Sequence, residues 1–312
     1  MTTQKLIYLY SDSTYTPWKE NIFGNTIATF IKSTPENYYP YVTHFVGFNH
    51  EFADFLKQFD IVFNVCYGFN ETGQAEIARW LDSHEINHTA SPFEVQIIAK
   101  DKLNLPMICK EINLKTPEIL SSSEIMNNEY ERFIAKPRMG SLHLNMLVFE
   151  KNQIPYQELL ERDDYIIQPY LKGREFTVGV IPNENGTDYI ALNPLEIRPD
   201  DSREVYIAGQ NYGITEKILN PDLDESLKTE IMQKVLSLHK FMKIRGMSRT
   251  DIRIYKNEIY VLDINTMPNL DAKSFLPSIA LNEGINLKAL FKRILLRTAH
   301  YNSVEKINYQ NV

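Results

Sequence analysis

Asp251, Asp263 and Asn265 fall within SRTDIRIYKNEIYVLDINTMPNL, residues 248 to 270, which alternates like two short strands around a turn. Carboxylates and an amide thus stand where a buried sheet would want apolar side chains. Hard oxygen donors of this kind, few in number and with places left for phosphate oxygens and water, suit magnesium better than zinc. Register decides whether they meet. A three-residue loop of Lys256, Asn257 and Glu258, with Asn257 left-handed, sets Asp251 opposite Asp263, whereas a two-residue turn at Lys256 and Asn257 would set it opposite Leu262. The first register puts Ile252, Ile254, Tyr260, Leu262 and Ile264 on one face and Arg249, Asp251, Arg253, Asp263 and Asn265 on the other, and that segregation favours it. Two carboxylates facing each other repel. Either a divalent cation offsets that repulsion, or the face is solvated and its acids pair with Arg249 or Arg253. Spacing alone leaves both open.

The elements that would carry this ribbon are legible upstream. KLIYLY (5 to 10) and FDIVFNVCYG (59 to 68) read as strands, and QAEIARWLDSHE (74 to 85) as a helix, an alternation that predicts a parallel sheet covered by helices. In SPFEVQIIAKDK, Ser91 as N-cap, Pro92 at the first helical position and Glu94 predict a helix start and a domain boundary near residue 94. Pro106 splits the following helical stretch into two pieces. From residue 131 the pattern turns to strands: RFIAKP, LNMLVFE, YIIQPYL and EFTVGVI predict antiparallel sheet. The polar stretch 197 to 213 reads as a lid or binding loop. Leu287, Leu290, Phe291, Ile294 and Leu295 share one face of a closing amphipathic helix.

Composition excludes several classes. The 312 residues are 43% hydrophobic and 23% charged, an ordinary globular balance, and a net charge of -7 offers no field for a nucleic-acid backbone. Cys66 and Cys109 are too few for a disulfide framework or a cysteine-based zinc site, which fits a cytoplasmic protein. LIYLY is too short for a signal-peptide core or a membrane span, so no membrane partner is expected.

The hairpin, with FNVCYGFNETG, AKDKL, FIAKP and YIIQPYLKGREFTVGVI in the same order upstream and AKSFLP downstream, resembles the D-alanine-D-alanine ligase branch of the ATP-grasp superfamily, from residue 5 to about residue 300. The resemblance implies an α/β fold with α+β elements: an N-terminal parallel sheet with helices (1–94), a central subdomain (95–170) and a C-terminal catalytic domain (171–312), with ATP between two antiparallel sheets. It implies an acyl phosphate made from a carboxylate and ATP and captured by an amine. Residue by residue, Asp251, Asp263 and Asn265 match the magnesium ligands, although the family more often has glutamate at Asp263. One or two Mg2+ ions are implied, with Mn2+ able to substitute. Arg249 matches the arginine on the oxyanion, and Lys102 and Lys136 the lysines on the ATP phosphates. Gln168, Tyr170 and Leu171 match the adenine contacts and Glu175 the ribose contact. Gly140 and Ser141 match the loop over the phosphates, with His143 a further substrate-contact candidate, and Ser274 and Phe275 match the site for the incoming carboxylate. The resemblance also implies a homodimer acting on small molecules: an amino acid or small carboxylic acid, plus an amine.

Departures cluster around the amino-acid pocket. Trp18, with Glu20 nearby, stands where the family has a glutamate. Gly209 and Gln210 replace a lysine-tyrosine pair, and Tyr67 replaces a histidine. These changes imply retained acyl-phosphate chemistry with an altered substrate, as in secondary metabolism or peptide modification. Two alternatives stand beside that: an authentic D-alanine-D-alanine ligase, and a phosphotransferase on the same scaffold. A non-catalytic nucleotide-binding protein is disfavoured because the metal face is intact.

Overall fold

The computed structural model describes residues 3–10, 22–68, 70–139, 146–152, 162–198 and 216–305. Strand β1 (Gln4–Tyr10) lies between β2 (Tyr38–His44) and β3 (Ile61–Asn64), all parallel, as the alternation of strand and helix predicts. Helices α1 (Ile22–Lys32), α2 (His50–Leu56) and α3 (Gly73–Ser83) connect and follow these strands. One face of β1 and β3 packs Tyr8 and Phe63 against Phe30 of α1 and Phe291 near the C-terminal end of the chain. Ile7 and Val62 point to the opposite face, where Phe52, Ile77 and Trp80 cover them.

Helix α4 (Phe93–Lys100), a 3-10 turn (Lys102–Asn104) and α5 (Leu105–Glu111) follow, so the stretch breaks around Pro106 as predicted. The helix start differs. Pro92, not Ser91, is the N-cap; Ser91 is buried, with its hydroxyl donating to the Arg245 carbonyl and accepting from the Arg245 N–H, both at 3.0 Å. A distant backbone outcompetes the local cap because it satisfies a buried donor and a buried acceptor together.

The strand-rich half divides into two antiparallel sheets. The first, after α6 (Ser122–Asn127), has β4 (Arg132–Pro137) between β5 (Leu147–Glu150) and β6 (Tyr165–Pro169). The second runs β10 (Glu216–Ile218), β9 (Leu195–Arg198), β7 (Arg174–Pro182), β11 (Ser248–Tyr255) and β12 (Glu258–Asn265), with β8 (Tyr189–Ala191) on the far end of β7. Helix α7 (Glu225–Phe241) covers the apolar face with Ile231 and Val235 against Phe176, Val178 and Ile252. Ala99 and Ile108, from α4 and α5, pack against Val261 and Ile264 of β12. Helices α8 (Phe275–Asn282) and α9 (Leu287–His300) close the chain, and the apolar stripe of α9 is buried as its sequence requires. No helix among the described residues is long and apolar enough to cross a membrane.

The β11–β12 hairpin reaches the expected pairing by a different route. Asp251 does lie opposite Asp263, but Tyr255 pairs with Glu258, so the turn is the two residues Lys256 and Asn257, with φ of 50° and 61°. Positive φ at both positions matches the twist of the flanking strands. A bulge then steps the register, because Ile252 pairs with Val261 while Asp251 pairs with Asp263, leaving Leu262 as the extra residue. The faces change accordingly. Ile259, Val261 and Ile264 share the face of Ile252, while Tyr260 joins Arg253 on the polar side. The assignment of Tyr260 and Leu262 to the apolar face is thereby corrected.

Candidate active site

The polar face of the hairpin extends onto β7, whose Thr177 and Glu175 lie opposite Asp251 and Arg253. Gly173, just before β7, permits that approach: a Cβ there would stand 2.0 Å from the Ile254 carbonyl oxygen. Asp251 is buried and heavily engaged. Its Oδ1 accepts from the Thr177 hydroxyl at 2.6 Å and from Arg249 Nε at 3.1 Å, and its Oδ2 accepts from Arg249 Nη2 at 3.0 Å. The ion-paired alternative for these acids is thus realised for Asp251, through Arg249. Arg253 serves Glu175 instead.

Lys102 and Lys136 come to this face from outside the hairpin's sheet. Asp101 holds the 3-10 turn by accepting from the Leu103 N–H at 3.1 Å, and grips Arg138 in a bidentate pair with contacts of 2.8 and 2.5 Å. Arg138 thereby keeps the Asp101 carboxyl below its ordinary range and ties the turn to the end of β4. Lys102 Nζ lies 3.9 Å from Asp263 Oδ1. Lys136 Nζ donates at 3.3 Å to the carbonyl of Leu262, the residue the bulge removes from regular pairing. The irregularity that aligns the two aspartates thus also supplies the acceptor that draws Lys136 in. Burial, then repulsion from Lys102, lowers the Lys136 ammonium from 10.5 to about 8, with Asp263, Arg253 and Glu175 also within electrostatic reach.

At the β6–β7 junction Gln168 is buried, and its amide nitrogen donates to the Pro117 carbonyl at 2.8 Å, leaving its oxygen as the free acceptor. Arg253 donates to the Leu171 carbonyl at 3.0 Å and to the Glu175 carboxylate, and its guanidinium lies 5.6 Å from the Tyr170 ring centroid. At the other end of the face Arg249 lies 5.3 Å from the ring of Phe275, the first residue of α8. Ser274 is the N-cap, and its hydroxyl makes no cap hydrogen bond. Tyr67 sits within electrostatic reach of Arg249, and burial raises its phenol to about 12, so it presents a neutral hydroxyl.

The structure therefore brings Lys102, Lys136, Arg249, Asp251, Asp263 and Asn265 together, with Gln168, Tyr170, Leu171 and Glu175 at one end and Ser274 and Phe275 at the other. Gly140, Ser141, His143, Trp18, Glu20, Gly209 and Gln210 lie outside the described residues, as does nearly all of the 197 to 213 loop. Sequence reasoning missed Thr177 as a partner of Asp251 and Arg253 as the partner of Glu175. The signal for both was alternation within REFTVGVI, which places Glu175 and Thr177 on one face of β7.

The donor set fits a hard divalent cation. Asp251, which Arg249 also holds, pairs across the hairpin with Asp263, and Asn265 stands two residues beyond Asp263 on the same strand; these are oxygen donors of the type such a cation takes, while among the described residues no group of three or more His, Cys, Asp and Glu side chains gathers. Asn265 Oδ1 accepts from the Met267 N–H at 2.9 Å, which fixes its orientation and leaves a second lone pair.

The family model described as D-ala D-ala ligase C-terminus matches residues 146–296. A D-alanine–D-alanine ligase of Thermotoga petrophila is 31% identical over 251 residues, covering 78% of this chain and 81% of that protein. The crystal structure of the D-alanine–D-alanine ligase from Bacillus anthracis complexed with ATP superposes with a TM-score of 0.77 at 19% identity, over 97% of this chain and 99% of that one. The VanG D-Ala:D-Ser ligase from Enterococcus faecalis gives 0.77 at 14% identity, over 95% and 100%.

Proposed function

Because this chain belongs to the D-alanine–D-alanine ligase family of ATP-grasp enzymes, ATP-dependent ligases that form carbon–nitrogen bonds, we propose that it activates a small carboxylic acid as an acyl phosphate and joins it to an amine. The observation that carries the proposal is the gathering of Lys102 and Lys136 at the hairpin face, against Asp263 and the Leu262 carbonyl. Two ammonium groups and an acidic pair held so close serve a triphosphate with its cation better than they serve stability.

In this proposal the chain acts in three lobes, 1–94, 95–170 and 171–312, as a cytoplasmic homodimer. The Gln168 oxygen accepts from the adenine amino group, the Leu171 N–H donates to the ring nitrogen beside it, and Glu175 takes the ribose. Guanine presents the opposite pattern, a carbonyl next to an N–H, and meets acceptor against acceptor at Gln168. Lys102 and Lys136 bind phosphate oxygens and reduce the repulsion between the γ-phosphate and the attacking carboxylate. Asp251, Asp263 and Asn265 would hold Mg2+, which would supply neutralisation of the phosphate charge. Arg249 stabilises the oxyanion that forms when the amine attacks, since its fork lies between Asp251 and Phe275. Ser274, its hydroxyl unused by the helix, and the N–H groups opening α8 receive the carboxylate of the incoming amine.

The first-substrate pocket is proposed to differ from the family's. The support is Tyr67, whose neutral phenol beside Arg249 cannot carry charge as a histidine can. A second candidate, D-alanine for both substrates, is favoured by the relative at 31% identity. One experiment separates them: ADP release screened over pairs of amino acids and small carboxylic acids, with mass spectrometry of the product. Robust dipeptide formation from D-alanine alone contradicts the altered pocket; release with a different pair supports it.

A further inference from the structure

Arg253 is a buried arginine on the polar face of β11, with Glu175 beside it across the sheet and Leu171 at the start of the β6–β7 turn. Its Nη1 donates to the Leu171 carbonyl at 3.0 Å and its Nη2 to Glu175 Oε2. Its Nε–H is buried and finds no acceptor among the described residues. A buried ion pair with one orphaned donor is weak as a stabilising device, because both charges lose their hydration and the orphan loses its hydrogen bond to water. Apolar side chains of similar volume would hold two strands together as well. The pair is better explained by what it leaves available: one free oxygen on Glu175, the N–H of Leu171 whose carbonyl is taken, and an unused N–H donor on the guanidinium.

A carboxylate oxygen next to an N–H donor matches a vicinal diol, in which one hydroxyl donates while the other accepts. We propose that Arg253 is a nucleotide-positioning residue: its fork fixes which groups of Leu171 and Glu175 face the nucleotide, and its Nε–H donates to a ribose hydroxyl oxygen whose neighbour donates to Glu175. This rests on the ATP-binding role proposed above, in which Glu175 takes the ribose, and adds Arg253 to that contact. Lysine cannot substitute, because its three N–H groups radiate from one nitrogen and do not span the separated Leu171 and Glu175 acceptors as the planar fork does.

The test measures binding of ATP, 2′-deoxy-ATP and 3′-deoxy-ATP by displacement of a fluorescent ADP analogue, in the wild-type protein, Arg253→Met and Arg253→Lys, with circular dichroism to verify folding. The expected result is that wild type binds ATP at least tenfold more tightly than one of the deoxy analogues. Folded Arg253→Met loses at least tenfold in ATP affinity and most of that discrimination, and Arg253→Lys loses the discrimination too. Where Arg253→Met does not fold, Arg253→Lys alone carries the comparison. ATP binding by wild type with unchanged affinity and discrimination in the folded variants overturns the inference and leaves the nucleotide site intact. Failure of wild type to bind any adenine nucleotide overturns the nucleotide site itself.

Discussion

Replacing Lys136 by Met should make the protein more stable and less able to bind nucleotide. The ammonium is buried, and its pKa falls from 10.5 to about 8, chiefly by burial. That shift corresponds to about 3 kcal/mol of folding free energy, at roughly 1.4 kcal/mol per unit. Losing the hydrogen bond to the Leu262 carbonyl returns about 1 kcal/mol, so a net gain of about 2 kcal/mol near pH 7 is expected. The sign follows from linkage. The folded protein holds this proton less tightly than the unfolded chain, so the penalty is full below about pH 8, where both states are protonated, and fades as pH rises toward about 10.5. Wild-type stability should therefore climb through that window while Lys136→Met stays flat at this site. Urea unfolding of both proteins at about pH 7 and about pH 10 reads the difference directly. Nucleotide affinity should fall in wild type above about pH 8, as the free protein loses the proton, and should be weak and insensitive to that transition in the variant. A variant less stable than wild type near pH 7 would refute the premise that this charge is held at a cost to the fold.

Two further outcomes test other parts of the structure. Gly173→Ala should lower stability by about 1–3 kcal/mol, read as a lower thermal midpoint, because its Cβ would meet the Ile254 carbonyl and push β7 from β11. His239 is buried and held near a pKa of about 3, with burial the main cause and Arg297 adding to it, while its Nδ1 lies 2.7 Å from the Ser248 hydroxyl. Its folded pKa is below the unfolded value of 6.5, so stability should fall as pH drops below about 6.5 and the unfolded chain alone takes the proton. His239→Gln should lose about 3 kcal/mol less than wild type between about pH 7 and pH 4 in denaturant titrations.

Short-range patterns in the sequence carried far into the structure. The apolar runs KLIYLY and FDIVFNVCYG marked two strands of the parallel sheet, Pro106 marked the break between α4 and α5, and the leucine stripe marked α9. What failed were features decided by distant partners. Ser91 carries the residue type of a cap, yet it is drawn away by the backbone of Arg245. The hairpin shows the limit most clearly. Segregation of polar and apolar residues correctly paired Asp251 with Asp263, but a regular ladder could satisfy it only with a longer loop, and nothing local announces a bulge at Leu262. The candidate site residues could be named because their order along the chain resembles that of a family. Their mutual geometry was not, since the Arg253–Glu175 and Lys136–Leu262 contacts join residues 78 and 126 positions apart.

The claim on which the rest depends is that the polar face of the β11–β12 hairpin binds a divalent cation together with a nucleotide. Titration of Mn2+ in the presence of a non-hydrolysable ATP analogue, followed by electron paramagnetic resonance, tests it in wild type, Asp263→Ala and Asn265→Ala. Nucleotide-dependent binding of at least one Mn2+ per wild-type chain, weakened at least tenfold in each folded variant, is the predicted result. Equal binding in all three proteins would contradict it.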